Sequence, residues 1–496
     1  MANASGHASE KLHTGKFVAK ASSAEYTILV RNNQPMLSYH SLKSPDVAEE
    51  YPLSYFLGSG HLGTTYLYSI GNFLFESPIA WYGPSKDFDM KPGLEDLDYL
   101  PPPLPMQSDC LRCHMSSVQA SDAGTVNRYQ GLAFLHTGIT CEACHGDSKS
   151  HLETSGKGPI VNPAKLAAEA RDSICISCHL EGDVLVERSG RTALDYRPGE
   201  NISSFVSFYV KNGSKLTDRG VSEVEQLSQS TCKRISGNPM SCTSCHDPHF
   251  TPEPSQKTAY FRSKCLSCHN RPDFAASHHP ENIDCITCHM PRTSAENIPH
   301  VAWTDHRILA RPTEVRNQPA ERSTGEFVPI FSPSATMRDL AMANYRALLE
   351  GDRSREPIAR EQLNTNRDLI AKDKDALDAL GNLSAERGDL KEANEVFRKA
   401  LAIDPHDITA LSNLGVLLAK QGDLTESISI LETAFARNQD LPGLSMNLAR
   451  LQCMAGDASA ARRTLTTALA FCGNLENIRR LLTEMKTCGV PKRQPL

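Results

Sequence analysis

Six times between Cys110 and His289 the chain repeats a cysteine, two residues, a second cysteine and a histidine. The copies are Cys110-Leu-Arg-Cys113-His114, Cys141-Glu-Ala-Cys144-His145, Cys175-Ile-Ser-Cys178-His179, Cys242-Thr-Ser-Cys245-His246, Cys265-Leu-Ser-Cys268-His269 and Cys285-Ile-Thr-Cys288-His289. Two thiols three positions apart can add to the vinyl groups on one edge of a porphyrin, and the histidine that follows then lies under the iron. Structural zinc also uses paired cysteines, but it does not need a histidine directly after the second cysteine every time. Disulfides are a further alternative, though cysteines this close are more often reactive dithiols than structural staples. The repetition therefore points to six covalently attached haems of the c type. Cys110, Cys113, Cys141, Cys144, Cys175, Cys178, Cys242, Cys245, Cys265, Cys268, Cys285 and Cys288 are the expected thioether anchors. His114, His145, His179, His246, His269 and His289 are the expected proximal iron ligands. Cys232, Cys453, Cys472 and Cys488 fall outside the motifs and read as small buried apolar residues.

Each iron has a second face to fill. Among the non-motif histidines before residue 310, His61, His136, His151, His249, His278, His279, His300 and His306 are the candidate distal ligands. Several sit beside motifs: His136 five residues before Cys141, His151 six after His145, and His249 three after His246. Histidine on both faces lowers the reduction potential and suits electron transfer, whereas methionine on one face raises it.

The elements that must position these groups are legible in outline. The expected fold is mainly α, in three parts joined by a linker. Residues 1–105 lack a haem motif. Tyr26–Val30, and Tyr66–Ile70 followed by Gly71-Asn72 and Phe73–Phe75, read as strands and a hairpin of a small β-rich cap over one end of the haem stack. Residues 106–312 hold the six motifs in 180 residues from Cys110 to His289, about 30 per haem. That is too little chain to wrap each haem separately, so the haems are expected to pack on one another among short helices. Residues 313–333 read as a polar, proline-bearing linker. Residues 334–496 repeat: Leu380-Gly381, Leu414-Gly415 and Leu448-Ala449 are 34 residues apart, as are Gly388, Gly422 and Gly456, and Ala400, Ala434 and Ala468. A 34-residue period with small residues at helix crossings is that of the tetratricopeptide repeat, a pair of antiparallel helices per unit. Three repeats cover 374–474, a degenerate one precedes them from Leu340 to Asp373, and Leu475–Lys486 is expected to form a capping helix.

A net charge of −6 gives no case for a nucleic-acid partner. No apolar run of about 18 residues exists to anchor the chain in a membrane. Met1–Glu10 shows neither the basic region nor the apolar stretch of a secretion signal. Covalent haem is nevertheless normally attached outside the cytoplasm, so a periplasmic or otherwise extracytoplasmic location is expected.

Gly138-Ile-Thr-Cys-Glu-Ala-Cys-His-Gly146 resembles the GxxCEACHG signature of a bacterial multihaem cytochrome c family. Ser241-Cys-Thr-Ser-Cys-His-Asp-Pro-His249 is similar to the family's CxxCHDPH, and Asp284-Cys-Ile-Thr-Cys-His-Met-Pro-Arg292 to its CxxCHMP. His300-Val-Ala-Trp-Thr-Asp-His306-Arg307 resembles its DHxxR/P ending. Gly58-Ser-Gly-His61 and Pro78-Ile-Ala-Trp81 resemble its N-terminal glycine-rich turn and PxxW. Family members often continue into C-terminal tetratricopeptide repeats. The resemblance implies histidine ligation at His151, at His249, at His278 or His279, and at His306, and extends to His61, His136 and His300.

The leading functional reading is an electron carrier in which six haems pass single electrons and the repeats dock a redox partner protein. The alternative is a multihaem oxidoreductase acting on small nitrogen or sulfur compounds at one open-faced haem. Against it, no Cys-x-x-Cys-Lys motif is present, and no tyrosine lies between His289 and Tyr345 to crosslink a catalytic haem. A third reading makes the haems structural and gives the biology to the repeats. The sequence specifies no oligomeric interface.

Overall fold

The computed structural model describes residues 5–44, 46–58, 62–213, 221–271, 273–274, 278, 284–292, 304–310, 325–331, 335–473, 475–485 and 488. These residues divide into two compact units. One comprises Met115–Ser117 and Gly138–Asp339; the other comprises the described parts of Ala4–His114, Val118–Thr137 and Leu340–Leu496.

In the second unit, the N-terminal region expected as a small cap is a ten-stranded sheet. Its spine runs antiparallel through Gly15–Ala19, Ala24–Arg31, Gln34–Ser41, Ala48–Leu57, Gly63–Ile70 and Phe73–Glu76. Leu104–Pro105, in the proline-rich stretch, forms the last edge. The strand Asp87–Met90 returns towards Gly15–Ala19, where the Phe88 ring lies 3.2 Å from the position a Cβ on Gly15 would take. The sheet is thus nearly closed into a barrel. Strict alternation drives it: Ala24, Tyr26 and Ile28 point inward from one strand, and Leu37 and Tyr39 from its neighbour. Tyr26, Phe56, Tyr66, Tyr68, Phe73 and Phe75 fill the interior. The expected hairpin is present, with Ile70 opposite Phe73 across Gly71-Asn72; Gly71 has φ +59°, the left-handed conformation that such two-residue turns require.

The repeats lie in the same unit as this sheet. Their six helices are Lys374–Glu386, Leu390–Ile403, Ile408–Gln421, Leu424–Phe435, Pro442–Met454 and Ala458–Cys472, followed by the cap helix Glu476–Glu484. The 34-residue period extends to the caps. Asp373 and Asp407 cap first helices, and Asp389, Asp423 and Asp457 cap second helices, each accepting a backbone N–H from the first turn. Gly388, Gly422 and Gly456, at φ +83°, +90° and +87°, end the first helices in the left-handed conformation. Gly381 and Gly415 let the paired helices touch, since a Cβ would meet Phe397 at 2.6 Å and Leu431 at 2.4 Å. The end of the array packs on the sheet: Phe471 stands edge-on to Phe73 at 5.5 Å, and the Asn438 amide donates to the Gly124 carbonyl at 2.9 Å.

One expectation needs correction. Cys453 and Cys488, read as buried apolar residues, form a disulfide with Cα atoms 5.1 Å apart. Helix packing brings together thiols separated by 35 residues, a proximity with no signature in the local sequence. Cys472 is buried as expected, its thiol donating to the Gln439 carbonyl at 3.3 Å, and Cys232 is half-buried.

In the first unit, Val184–Glu187, Val206–Lys211 and Phe327–Ile330 form a three-stranded antiparallel sheet, the last strand lying in the stretch read as linker. Ile176, Leu180, Ile202, Phe205, Val206 and Phe208 make the core beside it. Among the described helices of this unit the longest, Ala168–His179, has 12 residues.

Two measurements test this packing. Gly415→Val is expected to lower stability by about 1–3 kcal/mol in urea unfolding followed by helical circular dichroism, because even a Cβ there would lie 2.4 Å from the fully buried Leu431 side chain. Reducing the Cys453–Cys488 bond, or replacing Cys453 with Ser, is expected to cost about 2–4 kcal/mol and to expose the Glu476–Glu484 helix to limited proteolysis.

Candidate haem sites

Each motif rides on a short turn or helix end held by its own neighbours. Cys110, Cys113 and His114 lie on the helix Ser108–His114, anchored by fully buried Leu111. The Ser5 hydroxyl donates to the His114 carbonyl at 2.6 Å. The helical turn Glu142–His145 follows Cys141 directly, and the Ser116 hydroxyl braces its approach by donating to the Gly138 carbonyl and accepting the Thr140 N–H. The third motif ends the helix Ala168–His179, whose Ile174 and Ile176 are buried. The fourth sits on the tight turn Cys242–Ser244, the fifth at the end of Lys257–Leu266, and the sixth on Cys285–His289, where Asp284 caps by accepting the Ile286 N–H.

The donor set fits haem c. The His145 Nδ1 lies 2.7 Å from the Val161 carbonyl, and the His289 Nδ1 lies 2.5 Å from the Leu309 carbonyl. A carbonyl only accepts, so each Nδ1 carries the proton and Nε2 presents its lone pair to a metal. His179 differs, since its Nδ1 faces the Glu223 carboxylate, with Oε2 at 3.9 Å. Contact with Glu223 raises the His179 imidazole; burial alone would raise the Glu223 carboxyl, but His179 more than reverses this and leaves it below its ordinary range.

Three motif histidines face a second histidine. The ring centroids of His145 and His249 are 5.9 Å apart, those of His246 and His306 6.3 Å, and those of His289 and His278 5.8 Å, with interplanar angles of 20°, 30° and 21°. Two metal–nitrogen bonds of about 2 Å on opposite faces of one iron would put the ring centroids about 6 Å apart. His306 is firmly placed. Its N–H donates to Gln226 Oε1 at 2.7 Å, its Nδ1 lies 2.7 Å from the Thr304 carbonyl, and neighbouring Asp305 holds Arg307 through both carboxylate oxygens. His269 stacks on Phe274 at 4.9 Å, and Phe274 stacks on His278 at 4.8 Å.

The other candidates are placed differently. His151, on the helix Lys149–Glu153, has its Nδ1 3.0 Å from the Gly158 carbonyl, and His136 is exposed on the strand Phe134–Thr137. Neither makes a ring contact with a motif histidine among the described residues. His61, His279 and His300 lie outside the described residues. Sequence reasoning missed Val161, Leu309 and Glu223. The first two act through main-chain oxygens that carry no residue signal, and Glu223 lies 44 residues beyond the histidine it faces.

Known proteins match the chain piecewise. A tetratricopeptide repeat family model matches residues 384–442 and 418–483, a doubled CXXCH motif model matches 237–274, and a cytochrome c554 and c-prime model matches 100–146. The multiheme cytochrome MtrA of Shewanella baltica is 27 % identical over 196 residues, which are 37 % of this chain and 46 % of the relative. The chain therefore spans just under half the length of that curated relative. Among solved structures, a MamA RS-1 double mutant is 18 % identical with a TM-score of 0.28, covering 31 % of this chain and 84 % of that one. A thermophilic TPR protein of Thermus thermophilus is 21 % identical with a TM-score of 0.25, covering 29 % and 80 %. No helix among the described residues is long and apolar enough to cross a membrane. By its motifs and these family models, the chain combines a multihaem c-type cytochrome segment that binds haem covalently with a C-terminal tetratricopeptide repeat array.

Proposed function

We propose that this protein is an extracytoplasmic electron carrier with six covalently bound haems, and that its repeats dock a redox partner protein. The observation that carries the reading is the facing of motif and non-motif histidines in the pairs His145–His249, His246–His306 and His289–His278. An iron with histidine on both faces has no open position for a substrate, which favours electron transfer over catalysis. His61, His136, His151, His279 and His300 form the pool from which the irons above His114, His179 and His269 draw their second ligands.

Bound haem c supplies one-electron redox chemistry. The chain's own groups do the rest: two cysteines fix each porphyrin edge, and Val161 and Leu309 hold the Nδ1 protons of His145 and His289 so that Nε2 faces the metal. The Cys453–Cys488 disulfide supports an oxidising compartment, as does the covalent haem chemistry itself. The repeats of the matched family model support protein docking, and the end of the array that carries Phe471 is already packed on the chain's own sheet.

The pyridine haemochrome assay is expected to return six haems per chain. His249→Ala and His306→Ala are each expected to keep that count while converting one low-spin haem to high-spin, read by electron paramagnetic resonance of the oxidised variant. Spectra identical to the parent protein's would show that these histidines do not ligate iron.

A further inference from the structure

The motif histidines are held in their orientations by different means. Main-chain carbonyls meet the Nδ1 atoms of His145 and His289, and a hydrogen bond there fixes the plane of the ring as well as its proton. The His269 ring makes no such bond among the described residues. Its ring contact there is with Phe274, at 4.9 Å between centroids and 22° between planes. The Phe274 ring also stacks on His278, at 4.8 Å and 16°. One phenyl ring thus touches two imidazoles at once, in each case in the offset, near-parallel arrangement that aromatic rings favour.

The backbone makes this placement specific. The Phe274 N–H donates to the Arg271 carbonyl at 3.0 Å, and the His278 N–H donates to the Phe274 carbonyl at 2.9 Å. Phe274 and His278 are therefore neighbours across a single helical turn, with side chains on the same side. The His269 N–H donates to the Cys265 carbonyl at 2.9 Å, which ties that ring to the fifth motif. His278 in turn faces His289 of the sixth motif, with 21° between the planes. Phe274, in no motif itself, joins the ligand sets of two neighbouring motifs.

We propose that Phe274 is a positioning residue that fixes the ring planes of His269 and His278 together, aligning an axial ligand of the haem at Cys265 and Cys268 with one of the haem at Cys285 and Cys288. The proposal rests on the ligation of those haems by His269 and by His278 with His289. A stacked imidazole cannot turn about its bond to the metal without losing the contact. Phe274 thereby does for His269 what a carbonyl does for His145, and it holds His278 near parallel to His289.

The test is Phe274→Leu in the full-length haem-loaded protein, read by low-temperature electron paramagnetic resonance of the oxidised state. The spread of g values of a low-spin haem follows the angle between its two axial ring planes, so the readout reports orientation rather than folding. Leucine keeps an apolar side chain but has no ring face. Two low-spin components are expected to shift or broaden while the others and the haem count stay as in the parent. Phe274→Tyr, which keeps the ring, is expected to retain the parent spectrum. His278→Ala is expected to turn one haem high-spin, which identifies the sixth haem's component and tests the ligation separately. If His278→Ala behaves so but Phe274→Leu leaves both components unmoved, or Phe274→Tyr departs from the parent as far as Phe274→Leu does, the proposal is overturned. An unchanged spectrum in His278→Ala would overturn the ligation on which it rests.

Discussion

A metal held between two histidines of one chain is a crosslink, and on the proposed ligation the unit that holds five of the six motifs depends on crosslinks of this kind. On the reading proposed here, one iron ties His145 to His249, a second ties His246 to His306, and a third ties His278 to His289. His246 and His249 lie three residues apart and would serve different irons, so the short stretch between them couples two haems. Outside the small core beside the three-stranded sheet, the described helices of this unit are too short to be stable alone. Ligand bonds and thioethers then supply the order that side-chain packing provides elsewhere, and metal loading and folding become linked.

The other unit is built by conventional means. Alternating strands bury a row of aromatic rings, and the repeats bury Phe397, Leu431 and Leu465 against the small residues of their partner helices. Asp caps and left-handed glycines recur at fixed intervals, so each repeat states its own boundaries. The disulfide closes the end of this array. The first haem motif, on the helix Ser108–His114, lies in this unit as well, so the two kinds of physics do not divide haem binding from the repeats.

How much of this could be read in advance follows from the range of each interaction. The haem motifs and the repeats are local or periodic, and Gly415, lacking a side chain at a helix crossing, was recognisable from spacing alone. The strands at Tyr26–Val30 and Tyr66–Ile70 were visible as well, but their assembly into one ten-stranded sheet was not, because closure depends on the approach of Phe88 to Gly15 across the whole region. The Cys453–Cys488 bond was hidden for a related reason, since only the stacking of repeat helices brings the thiols together. Val161 and Leu309 contribute backbone oxygens, which any residue could supply. Glu223 is one of 58 acidic residues, and nothing but the folded geometry distinguishes it.

The central claim is that the irons are closed on both faces, and low-temperature electron paramagnetic resonance of the fully oxidised parent protein tests it most directly. The account predicts low-spin signals integrating to all the haems, with no high-spin component. A stoichiometric high-spin signal that changes on adding nitrite, hydroxylamine or cyanide would contradict it, and would mark an open iron where a substrate binds.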